Sequence, residues 1–438
     1  MASYYVWSGA AGANNGTSWA NAYTNLVAMF TGGKLAGDVF YVAHDHVETS
    51  ASAVQYNAPG TSALPCKVVC VDRGGSVPPV PADRRNTAQL NTTGTAAISI
   101  NGNNSIWDGF IFNCGTGAAV ANINVGTNNG VWLRLDNCSL RLNTTATSFV
   151  NFGTTGATSL AELNNTTMSF GAVGQSINLL GILKWRNTPS ALLGTIPTAL
   201  FLNLNTRGAS LECTGVDLSA AGSGKTLVSL VTGPMGQTYR FIDCKLNASA
   251  TRVAFTNPYH GMAEIDFVRS SATGNYSVYR YRVPGTLEQE TTIVRTGGAS
   301  DGTTPLSWKV LTTANCNPVL PFDCPPIVIW NDTTGSPKTA TVEGIWGAGV
   351  VPTDDECFLE VQYLGDAGSP LASQINDGRD LLTAAANQAS SSEVWSGSTT
   401  KFKLACTFTA LQKGWIYARV KCAKASSTFY IDPLVTLT

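Results

Sequence analysis

The chain has 438 residues, 44% of them hydrophobic and only 13% charged, with a formal net charge of -1. So weak a charge offers no basic footprint for a phosphate backbone and argues against a nucleic-acid partner. No run of eighteen apolar residues occurs and residues 1–5 carry no basic n-region, so neither a membrane span nor a cleaved signal is expected.

At the N-terminus, Tyr4, Tyr5, Val6 and Trp7 lead into a Gly/Asn turn over 9–16, followed by Thr17, Ser18 and Trp19. Ser18 is the expected N-cap of a short helix whose apolar face holds Tyr23, Leu26, Val27 and Phe30. Such a helix suits the open end of a solenoid, whose first coil otherwise exposes its interior. Residues 37–43 are then expected as the first strand, 67–72 as the second and 96–100 as the third, with the Pro-rich 77–82 as a surface loop. His44 and His46 alternate about Asp45 at a strand end, roughly 7 Å apart on one face. A solvated coil edge is favoured there over a metal, because no further His lies nearby.

Between 109 and 272 a pattern recurs at intervals of 22 to 30 residues, anchored on Cys114, Cys138, Thr166, Thr188, Thr214, Cys244 and Ser270. Three residues before these anchors stand Ile111, Leu135, Leu163, Trp185, Leu211, Phe241 and Phe267; five before stand Gly109, Leu133, Ala161, Leu183, Ala209, Tyr239 and Ile265. Positions two apart in a strand share a face, so one short strand per coil stacks apolar residue on apolar residue. The residue before the anchor is Asn or Asp in five of seven cases. Asn tolerates the left-handed backbone of a corner, and its amide can bond the next coil. Outward positions place Glu162 between Arg134 and Lys184, which favours in-register parallel stacking.

From about Tyr276 the texture changes. Strand-like runs at 277–283, 291–295, 306–311, 327–330, 339–346, 357–363, 401–409 and 414–423 are separated by irregular turns, which predicts an antiparallel sandwich of immunoglobulin-like or jelly-roll type. The expected division is a cap over 1–36, a parallel β-helix over 37–275 and a β-sandwich over 276–438. Eleven cysteines, an odd number, are read as reduced thiols of a cytoplasm-assembled protein. Cys66 and Cys70 stand roughly 13 Å apart if extended, too far to bridge. Cys114, Cys138, Cys213 and Cys244 suit a corner stack, and Cys316 with Cys324 lacks the partners of a zinc site.

Trp7-Ser8-Gly9, Asn15 to Trp19, Ala22-Tyr23 and the run from Gly37 to Val42 resemble the cap and first coil of right-handed parallel β-helix proteins of the pectate-lyase-like class. Many of that class are bacteriophage virion or bacterial surface proteins. The resemblance covers roughly residues 4–272 and speaks to shape; the ending at Trp415 to Val420 and Phe429 to Pro433 resembles C-terminal domains of phage structural proteins. It implies an all-β fold and a virion protein assembled in a bacterial cytoplasm. The expected form is a homotrimer that decorates a capsid through its major capsid protein; a tailspike that binds or cleaves host polysaccharide is the alternative.

Enzymatic signals are sparse. Gly222 to Thr226 lacks the first glycine of a phosphate-binding loop, since Ser219 stands there, and the following residues read as a strand where a helix is required. His260 is read as a loop residue. Among carboxylates, Glu212 with Asp217 and Glu264 with Asp266 are the candidate acid–base pairs, solvated faces being the plainer reading. The file through Asp136 continues to Asn164 and Arg186 and gives no adjacent acidic pair on this register. No calcium-binding Asp cluster is evident, no cofactor or metal is expected, and Phe110, Phe112, Ile242 and Val268 are taken as an outward apolar set for trimer contacts.

Overall fold

The computed structural model describes residues 2–153, 159–203, 209–230, 238–255, 264–270, 278–282, 285–289, 308–314, 316–317, 321–346, 356–365, 401–410 and 413–438. Two compact units divide it, Met1–Gly274 and Asn275–Thr438.

The first unit is a parallel β-solenoid with three strand faces. Its first face stacks Ser3–Val6, Val39–Ala43, Cys66–Val71, Ser105–Asp108, Trp132–Asp136, Leu160–Asn164, Ile182–Thr188, Ser210–Val216, Thr238–Ile242 and Glu264–Val268, each parallel to the next. The second face runs from Val47–Ser50 to Leu192–Gly194 and the third from Val54–Tyr56 to Thr251–Phe255. The first rung is thus Ser3–Val6, ahead of the strand expected to open the coil.

Alternation decides what fills the interior. Phe40, Val68, Trp107, Leu135, Leu163, Trp185, Cys213, Phe241 and Phe267 form one file, each Cα paired with the next, and all are buried. Leu90, Phe112, Leu140, Met168 and Leu192 do the same on the second face. Phe241 and Phe267 lie flat on one another, centroids 4.6 Å apart, a stacking that in-register rungs impose on like residues.

Corners set this register. Gly109, Asn137, Asn165, Asn187, Gly215, Asp243 and Arg269 all have positive φ, between 48° and 87°. Five of these corners, with anchors Cys138, Thr166, Thr188, Cys244 and Ser270, stand where the sequence places them. The amide ladder is present too: Asn165 Nδ2 donates to Asn137 Oδ1 at 2.8 Å, and Asn137 Nδ2 to Asp108 Oδ1 at 2.8 Å. The anchors turn inward and satisfy carbonyls, Thr166 Oγ1 donating to Leu135 O at 2.9 Å and Ser270 Oγ to Phe241 O at 3.0 Å. Further Asn ladders run where the repeat gave no sign, from Asn178 to Asn151 to Asn124 on the third face and from Asn113 to Asn91 on the second.

Two rungs depart from the register expected of the repeat. The first corner is Gly109, so its anchor is Phe110 rather than Cys114, and Trp107 rather than Ile111 points inward. The fifth corner is Gly215, so Leu211 and Cys213 take the inward places given to Ala209 and Leu211. Both displaced corners are glycines, which enter the left-handed region without a side-chain signature. Phe110 and Phe112 consequently face inward, 1% and 0% exposed, against Trp107 at 5.3 and 5.9 Å. They leave the supposed outward apolar set; Ile242 and Val268, paired on adjacent rungs, remain half-buried on the outside.

The capping helix is Leu26–Thr31, with Leu26, Met29 and Phe30 buried. Phe30 meets Phe40 and Trp107 edge-on at 5.3 and 5.9 Å, which plugs the coil as expected. Its N-cap is Asn25, not Ser18, whose hydroxyl instead accepts from Asn21 N in a preceding turn. Glu48 completes the cap from the second face, accepting from Asn25 Nδ2 at 2.8 Å and Leu26 N at 3.0 Å. His46 is fully buried beside Glu48 at 3.5 Å and accepts from Ser8 N at 2.9 Å, so it is no solvated edge; His44 is the half-exposed one. Burial first, and the Glu48 carboxylate second, raise the Tyr56 phenol nearby.

In the second unit one antiparallel sheet takes the order Val278–Arg282, Gly285–Gln289, Trp308–Thr312, Thr428–Ile431, Lys338–Trp346 and Lys401–Phe408. The other centres on Gly414–Cys422, with Cys357–Gly365 on one side and Phe322–Asp323 and Ile327–Asn331 on the other. Val342, Leu404 and Phe408 of the first and Leu359, Ile416 and Val420 of the second share one core. The run expected at 291–295 lies outside the described residues. All eleven cysteines are buried free thiols. Burial raises Cys422 well above the usual thiol range, reinforced by hydrogen bonds with the Cys324 and Cys357 thiols.

Candidate functional site

Outward positions of the first face form two charged files. The first reads Arg134, Glu162, Lys184, Glu212, Arg240 and Asp266 on successive rungs, alternating in sign. Trp132 Nε1 also donates to Glu162 Oε2 at 2.8 Å. The second file reads Asp108, Asp136, Asn164 and Arg186.

Of the candidate carboxylates, Glu212, Asp217 and Asp266 each lie against a cation. Glu212 lies between Lys184 and Arg240 and accepts from Arg186 Nη2 at 3.1 Å. Asp217 sits past the Gly215 corner, held by Lys245 Nζ at 3.1 Å and by the hydroxyl and N–H of Ser219. Partial burial pushes its carboxyl up, but the Ser219 and Lys245 contacts outweigh that and hold it below the usual carboxylate range. Asp266 is 5% exposed with Arg240 at 4.0 Å, and Glu264 is placed by its backbone alone, paired with Thr238. His260 lies outside the described residues.

One adjacent acidic pair does exist, and the displaced first rung hid it. Asp108 and Asp136 are Cα partners on neighbouring strands, ~4.8 Å apart by strand spacing. Side chains on such neighbouring positions can reach the roughly 5–5.5 Å carboxyl separation of a retaining glycosidase pair. Cations occupy both, however: Arg84 Nη1 lies 3.2 Å from Asp108, and Arg134 Nε donates to Asp136 at 2.8 Å. The Arg134 guanidinium is raised by its bond to Asp136, then by the fields of Glu162 and Asp108. Asp108 is also sealed at 5% exposure. Placing a corner at Gly109 is the signal that finds this pair.

Among the described residues, two shallow grooves mark the solenoid surface. One, of about 220 Å³, lies between the first face and the Pro79–Pro81 loop, lined by Tyr41, Val69, Val80 and Arg84. The other, of about 240 Å³, follows the corner and is lined by Ile111, Asn137, Ser139, Arg141, Asn165 and Thr167. Neither is lined by a carboxylate, and both fall short of the roughly 300 Å³ at which ligand pockets begin. Among the described residues no group of three His, Cys, Asp or Glu is arranged to hold a metal, and no helix is long and apolar enough to cross a membrane. Lys225 belongs to no phosphate loop, because Thr226–Leu230 is a strand and the ammonium donates to Ile196 O at 2.8 Å.

No protein family and no curated protein matches the chain. Among solved structures, the chain is similar to the enzymatically active domain of bacteriophage CBA120 tailspike protein 4, at 8% identity and a TM-score of 0.20, over 94% of this chain and 65% of that one. It thus spans slightly less than two thirds of that structure. A second similarity, to the tailspike protein of Acinetobacter phage vB_ApiP_P1, has 11% identity and a TM-score of 0.19, over 89% of this chain and 82% of that one.

Proposed function

We propose that the chain is a non-enzymatic structural protein of a bacteriophage particle, a homotrimeric decoration or spike that binds the major capsid protein. The observation that carries this reading is the filled, in-register solenoid. Its outward carboxylates Asp108, Asp136, Glu212, Asp217 and Asp266 each lie within 4.0 Å of a cation, which suits a rigid projection more than a reaction centre. The resemblance of the N-terminal cap to phage β-helix proteins supplies the virion, and with it assembly in the host cytoplasm. Ile242 and Val268 offer a narrower trimer contact than the sequence implies.

Attachment is assigned to residues 276–438. Co-sedimentation with depleted capsids and with isolated tails tests it: 276–438 should bind capsids and 1–275 should not, while sedimentation of the full chain should give three times its 46.0 kDa mass. Binding to tails alone, or binding by 1–275, reverses the assignment. The adjacent Asp108 and Asp136 favour a second reading, a tailspike that cleaves host polysaccharide on the solenoid. Polysaccharide digestion that stops with Asp136→Asn, Glu212→Gln or Asp217→Asn establishes it in place of the first.

A further inference from the structure

The outer face of the smaller sheet in the second unit is exposed and aromatic where its inner face is core. Alternation along Gly414–Cys422 buries Ile416, Ala418, Val420 and Cys422 and leaves Trp415, Tyr417, Arg419 and Lys421 on the other side. Register then pairs Trp330 with Trp415 and Val328 with Tyr417. Trp330 is 40% exposed, Trp415 39% and Val328 50%. The two indoles are 5.3 Å apart at 75°, so one presents a face beside the other's edge and they form a step.

Size and charge select the occupant. An aromatic side chain covers about 150–250 Å² in full. Each indole therefore presents on the order of 100 Å², and the patch a few hundred, against the roughly 800 Å² per partner of a stable protein interface. Toward the far end of the strand, Arg419 meets Asp323 at 3.3 Å, and Lys421 meets Glu360 at 2.9 Å and Asp323 at 3.7 Å. Two cations and two carboxylates leave the rim neutral, which removes the attraction for a phosphate or sulfate polymer. What remains is a small aromatic step beside a charge-balanced rim of hydrogen-bonding groups. A pyranose ring matches both, with an apolar C–H face for the indole and hydroxyls for the rim.

The Tyr417 ring beside them is covered by the Arg419 guanidinium, 5.0 Å from its centroid, so it belongs to the rim. We propose that Trp330 and Trp415 form a binding site for a neutral hexopyranose chain, independent of any chemistry on the solenoid and of the virion reading. The test is gel retardation of the full chain in dextran, laminarin and galactomannan, with dextran sulfate and phosphatidylcholine vesicles as opposing probes. At least one neutral polymer should retard the chain and alter its tryptophan emission. Retardation should change little between 50 and 500 mM salt and should weaken at least tenfold in Trp330→Ala and Trp415→Ala, with partial recovery in Trp415→Phe. Unchanged circular dichroism and melting of these variants separates lost binding from lost fold. No retardation by any of the three neutral polymers, equal retardation of the alanine variants, or response to dextran sulfate or vesicles alone overturns the site.

Discussion

The two units bury apolar side chains by opposite strategies. In the solenoid each residue packs on the same position of the next coil, as Leu135 does on Leu163, so contacts recur every 22 to 28 residues along Phe110, Cys138, Thr166, Thr188 and Val216. In the second unit Trp308 pairs with Ile431 and Phe322 with Cys422, contacts that bridge about a hundred residues with no repeat. A stack of coils is a sum of nearest-neighbour interfaces, whereas the antiparallel core forms only when distant strands meet. Damage should therefore spread along a file in the first and through the whole core in the second.

The largest effect is expected from a charge inside the stack. Leu135→Asp and Leu163→Asp each place an unpaired carboxylate at a position 0–1% exposed and should abolish soluble expression, while the outward Arg134→Ser should express normally. Similar yields for all three contradict the register. Next, Leu404→Ala in the antiparallel core should cost about 2–5 kcal/mol. In a calorimetric scan it should lower the melting of the second unit and leave that of the solenoid in place; a shift of both would mean that the units unfold together.

Corners give a finer contrast. Gly109→Ala and Gly94→Ala each put a side chain on a left-handed backbone, at φ 87° and 57°, a cost of about 1–2 kcal/mol. Only at Gly109 does the new Cβ meet a backbone oxygen, Arg85 O at 1.9 Å, whereas nothing lies within 4 Å at Gly94. Chemical denaturation should therefore show Gly109→Ala as much the more damaging, on the order of 3 kcal/mol or more. Equal losses would remove Gly109 from the corner file.

The smallest effect lies in the surface ion pairs. Asp217 is held below the ordinary carboxylate range in the fold, so it adds stability above the unfolded value near pH 4, and that gain is lost as pH falls through its folded value. With part of the group in water, the gain should stay under about 1 kcal/mol. Melting temperatures of wild type and Asp217→Asn should differ slightly at pH 6 and draw together as the pH falls below the ordinary carboxylate range. A gap that widens on acidification reverses the sign.

Much of this was open to reading in the chain itself. The apolar file, the Asn corners and the hydroxyl or thiol anchors are local in sequence, because every coil must solve the same steric problem with its own residues. They fixed the class of fold, five of the seven corners and the pairing of Glu162 with its two cationic neighbours. Three matters were decided only in the tertiary structure. Gly109 and Gly215 turn corners with no side chain to announce them, and so hid which rung Trp107 and Cys213 occupy. That slip also concealed Asp108 beside Asp136, since neighbours on adjacent rungs are defined by register rather than by distance along the chain. Helix capping by Glu48, from the second face, and the step of Trp330 on Trp415 join residues that no local pattern relates, and only closing the coil and pairing the strands brings them within reach.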